Sequence, residues 1–247
     1  MLLFYIRHGD PIYTPNSLTP LGERQAESVA KRLALYGIDE VYSSTSNRAV
    51  QTAKPTCEIT KNELVTLDFA NESYAYGELA APLPDGKKRW VFAHPDYRDL
   101  MTSKEIKSMG DRWYEHPALA ELHLERGIER IRKESLAWLS ALGYEYDEEK
   151  GMYKITTDNT EKRVALFAHE GFGKVFLSTV LDIPYPCFAS HFELNHTGMT
   201  VICFDDNGKQ GDERYSRAHV LTLSNDSHLY RDGLPTKYIS TGMRNIY

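Results

Sequence analysis

The chain opens with an unbroken apolar run, Leu2-Leu3-Phe4-Tyr5-Ile6, that stops abruptly at Arg7-His8-Gly9. A run of this length closed by a turn glycine predicts a strand buried on both faces that leaves its sheet at Gly9. After a polar loop from Asp10 to Ser17 the period changes. Ala26, Val29, Ala30, Leu33 and Ala34 recur at helical spacing, with Thr19 as the N-cap, Pro20 at the first helical position and Gly37 at the end. A short strand at Glu40-Val41-Tyr42-Ser43 follows, then a helix that Ser46 or Asn47 can cap, then a third strand at Leu64-Val65-Thr66-Leu67. Strands alternating with helices in this order predict parallel crossovers and a sheet covered by helices.

The pattern breaks from about Ala81 to His123, where Pro, aromatic and charged residues mix without a strand alternation. This predicts a largely helical insertion, about residues 81–159, packed over the sheet's site face within a single domain spanning 1–247. Inside it, Ile128, Ile131, Leu136 and Leu139 predict a helix over Glu125–Leu142, and Tyr144–Ile155 reads as a hairpin turning at Glu148-Glu149-Lys150-Gly151. The buried-strand pattern returns at Arg163–Ala168 and runs at once into His169-Glu170-Gly171. A helix through Val175, Phe176, Val180 and Leu181 ends before Pro184. Two late strands are expected, Met199–Phe204 and His219–Leu223, with an irregular tail from Asp226.

Composition narrows the class. The 247 residues are 41% hydrophobic and 26% charged, the balance of a soluble globular protein. No stretch approaches the ~20 apolar residues of a membrane span, and the N-terminus lacks the basic and long apolar regions of a signal peptide. Cys57, Cys187 and Cys203 are few, odd in number and without metal-type spacing, which points to a reduced, cytoplasmic location. A formal charge of −6 argues against a large nucleic-acid footprint but leaves room for a locally positive anion site.

Chemistry concentrates at strand ends, where α/β folds place their sites. Arg7-His8 ends the first strand, His169 ends the Arg163–Ala168 strand, and Arg48 lies just beyond a third. If those strands are neighbours, Arg7, His8, Arg48 and His169 converge on one small volume. Guanidinium forks suit phosphate oxygens and an imidazole can be a nucleophile near neutral pH, so the cluster fits a phosphate group best.

At this point the sequence resembles the histidine phosphatase superfamily, the phosphoglycerate-mutase-like fold. The segments that carry the likeness are Arg7-His8-Gly9, Leu18 to Ala26, Ser43 to Ala53, Ala168-His169-Glu170-Gly171 and Leu223 to Leu229, in the family's order. The resemblance implies a three-layer helix-sheet-helix α/β fold with a mostly parallel central sheet. It also implies that His8 attacks phosphorus and carries the phosphoryl group, while Arg7, Arg48 and His169 hold its oxygens. A Glu after the third strand then protonates the leaving group. Asn71-Glu72-Ser73-Tyr74-Ala75-Tyr76-Gly77-Glu78 offers Glu72, the preferred position, and Glu78. Asn16 or Thr14 is expected to add a phosphate hydrogen bond, and Asp10 to order the loop. His191 and His196 lack acidic companions at ligand spacing and are read as packing or loop contacts. No role is assigned to His94, His116, His123 or His219.

The function so implied is metal-independent hydrolysis of a small-molecule or peptide phosphomonoester, without a cofactor. A phosphoglycerate mutase is the alternative enzyme, but the loop Thr14 to Thr19 carries no basic residue for a second acidic group. A catalytically silent phospho-ligand module is the alternative from another class, and it predicts a missing nucleophile where His8 stands.

Overall fold

The computed structural model describes residues 1–206, 208–210 and 213–236. Six strands form the central sheet: β1 (Leu2–Arg7), β2 (Glu40–Ser44), β3 (Leu64–Leu67), β4 (Arg163–Ala168), β5 (Met199–Phe204) and β6 (Ala218–Asn225). Their spatial order is β6-β5-β1-β4-β2-β3. β1, β4, β2 and β3 pair in parallel, whereas β5 runs antiparallel to both β1 and β6. The mostly parallel sheet is therefore as expected, and the three strands that carry site residues are adjacent.

Alternation along β1 and β4 explains why their sequences are apolar throughout. Phe4, Ile6, Ala165 and Phe167 face one layer, with Val29 and Leu33 of α1 (Pro20–Ala34) and Ala53 of α2 (Asn47–Thr60). Leu3, Tyr5, Val164 and Leu166 face the other, among residues of α4 (Glu125–Ala141) and α5 (Glu170–Leu181) such as Trp138, Leu139, Phe172 and Phe176. A short helix, α3 (Glu72–Leu79), precedes α4, and another, α6 (Tyr185–His191), follows α5. Fully burying one such side chain is worth about 1.5–3 kcal/mol, against about 0.5–1.5 kcal/mol net for a hydrogen bond. β1 and β4 are thus held chiefly by their side chains.

The turn after β1 is fixed by close backbone approach. The Thr19 hydroxyl caps α1 by accepting from Gly22 N at 3.0 Å, and Pro20 starts the helix. A Cβ on Gly9 would lie 2.6 Å from Gly22 O, and one on Gly22 would lie 2.3 Å from Asp10 O. Only glycines let the loop leaving His8 press against the first turn of α1. Helix α1 ends at Ala34, and Leu35, Tyr36 and Gly37 close it with hydrogen bonds to the third residue back.

Two expectations need correction, and a third is borne out within a larger sheet. The insertion begins with a hairpin, Ala80–Pro82 against Lys88–Trp90, before its short helices at Arg98–Met101 and Lys104–Ser108. Strands of three residues are too short to show alternation, although Pro84-Asp85-Gly86 is a turn sequence. The expected hairpin, Tyr144–Asp147 with Met152–Ile155, does form, but it joins Glu213–Ser216 and Gly208–Gln210 in a second, four-stranded sheet. The tail is not irregular from Asp226: Ser227–Arg231 is helical, docked by Ser28 Oγ donating to His228 O at 2.9 Å. The end of that expected tail, 237–247, lies outside the described residues. The insertion shares its core with the sheet, since Met101, Ile106 and Trp113 sit in the same cluster as Phe172 and Phe176. Among the described residues no helix is long and apolar enough to cross a membrane.

Candidate active site

The C-terminal ends of β1, β4 and β2 bring Arg7, His8, His169 and the start of α2 to one place. His8 is 2% exposed and His169 fully buried, with ring centroids 5.1 Å apart. His8 Nδ1 lies 2.7 Å from Gly9 O. A carbonyl can only accept, so Nδ1 carries the proton and Nε2 keeps its lone pair. Arg48 Nε donates to that lone pair at 3.1 Å. Burial foremost, then the neighbouring His169 ring and the Arg7 and Arg48 guanidinium groups, holds His8 well below the usual histidine range. The ring is neutral at pH 7, with Nε2 available as a nucleophile.

His169 sits behind His8. Its backbone is clamped by the Tyr5 hydroxyl, which donates to His169 O at 2.5 Å and accepts from His169 N at 3.2 Å. Its Nε2 is 2.8 Å from Ser44 Oγ, which itself accepts from Ser46 N at 3.2 Å. The Ser44 proton is then available to Nε2, which places the ring proton on Nδ1. That Nδ1 is buried without a partner. Burial first, then Arg48 and Arg7, keeps this ring neutral too.

Both arginines are pre-positioned. Asn16 Oδ1 accepts from Arg48 N at 3.3 Å and from Arg48 Nη1 at 3.2 Å, and Ser46 Oγ accepts from the same Nη1 at 3.2 Å. Asn16 Nδ2 donates to Ser46 Oγ at 2.9 Å, so Asn16 aims Arg48 as well as lining the cleft. Thr14 is exposed and does not line it. Arg7 Nη1 donates to Leu194 O at 2.5 Å and pairs with Glu170 Oε2 at 2.8 Å, while its Nε is buried without a partner. Glu170 is in turn 3.4 Å from the fully buried Lys174 ammonium. Asp10 plays the expected loop role, its Oδ2 accepting from Thr19 Oγ at 2.8 Å.

The two candidate acids part company. Glu72 lines the cleft with His8, Arg7 and Arg48, and its carboxylate accepts from Gly171 N at 3.1 Å and Phe172 N at 2.9 Å, at the N-terminus of α5. Burial outweighs those donors and raises its pKa. Glu78 instead makes a bidentate pair with Arg130, at 3.0 and 2.6 Å, beside a different cavity.

The cleft encloses about 1080 Å³, far more than a phosphate fills. The insertion contributes Arg89, Trp90, Phe92 and Arg98 to its wall. Sequence reasoning assigned none of these individually, and it also missed the supporting roles of Tyr5, Ser44 and Glu170. Tyr5 lies in the apolar run and Glu170 directly follows His169, so their positions alone could have flagged them. His196 is closer to the chemistry than expected, its ring 5.6 Å from that of His8 and its Nδ1 3.6 Å from Asp10 Oδ1. Among the described residues no group of three His, Cys, Asp or Glu is arranged to hold a metal ion.

Residues 3–81 match the family model of the histidine phosphatase superfamily (branch 1). No curated protein matches the chain. A phosphoserine phosphatase from Entamoeba histolytica, solved with 3-phosphoglyceric acid, is similar with a TM-score of 0.55 at 20% identity, over 92% of this chain and 98% of that one. A mycobacterial glucosyl-3-phosphoglycerate phosphatase complexed with VO3 gives 0.58 at 18%, over 90% and 98%. The α-ribazole phosphatase of Shigella flexneri gives 0.55 at 17%, over 92% and 97%. At these identities the likeness is one of fold.

Proposed function

We propose that this chain, whose residues 3–81 match the histidine phosphatase superfamily model, hydrolyses phosphomonoesters through a phosphohistidine and without a metal. The observation that carries the reading is the His8 tautomer: Nδ1–H is tied to Gly9 O, so Nε2 is unprotonated and turns its lone pair to Arg48.

In the first step His8 Nε2 bonds to phosphorus while the bond from phosphorus to the ester oxygen breaks. Arg7, Arg48 and Asn16, with the orphaned His169 Nδ1 behind them, stabilise the charge on the non-reacting oxygens. Glu72, whose pKa burial raises, gives its proton to the departing oxygen. In the second step water attacks the phosphoryl group, the Glu72 carboxylate takes the water's proton, and the P–Nε2 bond breaks to release phosphate. Two guanidinium groups supply the positive charge that a metal provides in other phosphatases. The absence of any basic residue from Thr14 to Thr19 supports water as the acceptor. The substrate is a small phosphorylated molecule or phosphopeptide, and the protein works in the cytoplasm.

Rapid quench with a 32P-labelled phosphomonoester tests this. An acid-labile, base-stable adduct on His8, followed by release of inorganic phosphate, is expected. Label on Ser, Asp or Cys would overturn the mechanism.

A further inference from the structure

Three contacts link the Glu72 carboxyl to the insertion, and Trp90 makes two of them. Gly171 N–H donates to Glu72 Oε1 at 3.1 Å. A Cβ on Gly171 would fall 2.2 Å from Trp90 Cζ2 and 2.3 Å from Cη2, so the indole edge already rests on the Gly171 Cα. The same indole meets Tyr76 edge-on, with centroids 5.2 Å apart and planes at 74°. Tyr76 stands one helical turn after Glu72 on α3, on the same face. The tryptophan is itself held in place. The Tyr76 hydroxyl donates to Lys88 O at 2.6 Å, two residues before it in the hairpin, and Phe92 stacks on it at 5.9 Å and 20°.

We propose that Trp90 is a positioning residue for the acid: delivered by the insertion, its indole seals the Glu72 carboxyl against the first turn of α5 and shuts bulk water out on that side. The inference rests on Glu72 being the proton donor. It accounts for glycine at 171, since any side chain there would evict the indole from the amide that holds Oε1. It also resolves an electrostatic problem. Arg48 on α2, Arg7 on β1 and the Gly171 and Phe172 N–H groups all favour the carboxylate, while Tyr5 and Tyr185, which also face it, are uncharged. Exclusion of water on the Trp90 side opposes those charges and favours the protonated carboxyl.

The test is a 13C NMR titration of the Glu72 carboxyl, assigned by its loss in Glu72→Gln, in the wild type, Trp90→Ala, Gly171→Ala and Trp90→Phe. Hydrating the carboxyl favours its charged form, so Trp90→Ala and Gly171→Ala should each lower the midpoint by about one pH unit, with Trp90→Phe restoring most of the shift. The alkaline limb of kcat for an alkyl phosphate should move down by the same interval, while kcat for 4-nitrophenyl phosphate keeps its profile. An unmoved midpoint in folded Trp90→Ala, or equal losses on both substrates without a shift, would overturn the inference and make Trp90 a cleft wall only. Should Trp90→Ala fail to fold, Trp90→Phe and Tyr76→Ala decide by the same titration. Because the NMR reading needs no turnover, a wild type inactive on every phosphomonoester would overturn the phosphatase reading and leave the role of Trp90 to be settled by the midpoints.

Discussion

Arg48 Nε donates to His8 Nε2 at 3.1 Å, so the guanidinium holds the same lone pair that, in the proposed reaction, attacks phosphorus. The contact keeps Nε2 unprotonated, because a protonated Nε2 has nothing to accept with. An entering phosphate offers Arg48 stronger, charged acceptors and frees the nitrogen.

Phosphorylation should therefore fall on Nε2 and not Nδ1. Phosphorus NMR of the trapped adduct distinguishes the two isomers. His8→Ala should abolish adduct and turnover together while leaving the circular dichroism spectrum unchanged.

Activity should survive EDTA. Arg7 and Arg48 flank the nucleophile, and their charge does not depend on an exchangeable ion. Loss of activity in chelator, restored by a divalent cation, would move the protein to another phosphatase class.

Glu72→Gln should cost about 10²–10⁴-fold on an alkyl phosphate, the usual scale of general acid catalysis, and much less on 4-nitrophenyl phosphate, whose leaving group is stable as an anion. Glu78→Gln should spare both rates and act on stability instead, because it breaks the pair with Arg130. Steady-state kinetics on the two substrates, with thermal melts of both variants, check the assignment.

Acid should unfold the protein through its buried histidines. His8 and His169 are held well below the usual histidine range, and burial, with Arg32 and Arg231, lowers His228 to about 4. The unfolded chain takes up these protons near pH ~6.5, before the folded one does, so stability falls as pH drops through that value. His228 alone contributes on the order of 3 kcal/mol of this loss by pH 4. Urea midpoints measured from pH 7 to pH 4 should fall steadily, and His228→Gln should flatten the slope.

Gly9→Ala and Gly22→Ala should each destabilise by about 1–3 kcal/mol, the range for overpacking, because backbone blocks the new methyl in both cases. The double variant should cost less than the two together, since both force the same loop from the same helix turn. Denaturant melts of the three variants measure the coupling.

The sheet and the grouping of Arg7, His8 and His169 were legible because those residues end or directly follow strands whose sequences are apolar on both faces, whereas Arg48 lies in the first turn of α2. Leu2–Ile6 and Val164–Ala168 announce burial, and the next residue is the chemistry. The proposed acid was harder to read. Glu72 and Glu78 are both plausible along the chain, yet six helical steps place them roughly 240° apart, and only Glu72 can face the cleft. A helical reading of Glu72–Leu79 would have separated them. The insertion resisted because its elements are too short for a period to register: three-residue strands and single helical turns are set by tertiary packing, as with Trp90 on Gly171. The helix at Ser227–Arg231 escaped for the same reason.

β1 is flanked by β4 on one side and β5 on the other, with side chains buried on both faces. Its end is an anvil: His8 cannot shift without disturbing two ladders and two cores at once. Arg89, Trp90, Phe92 and Arg98 reach the same cleft from a segment spliced between β3 and β4, where no ladder of the central sheet constrains them. The molecule thereby divides into a part pinned on both edges and both faces and a part that is not, so a substitution at Arg89 or Arg98 reshapes the cleft without loosening the strand that carries His8.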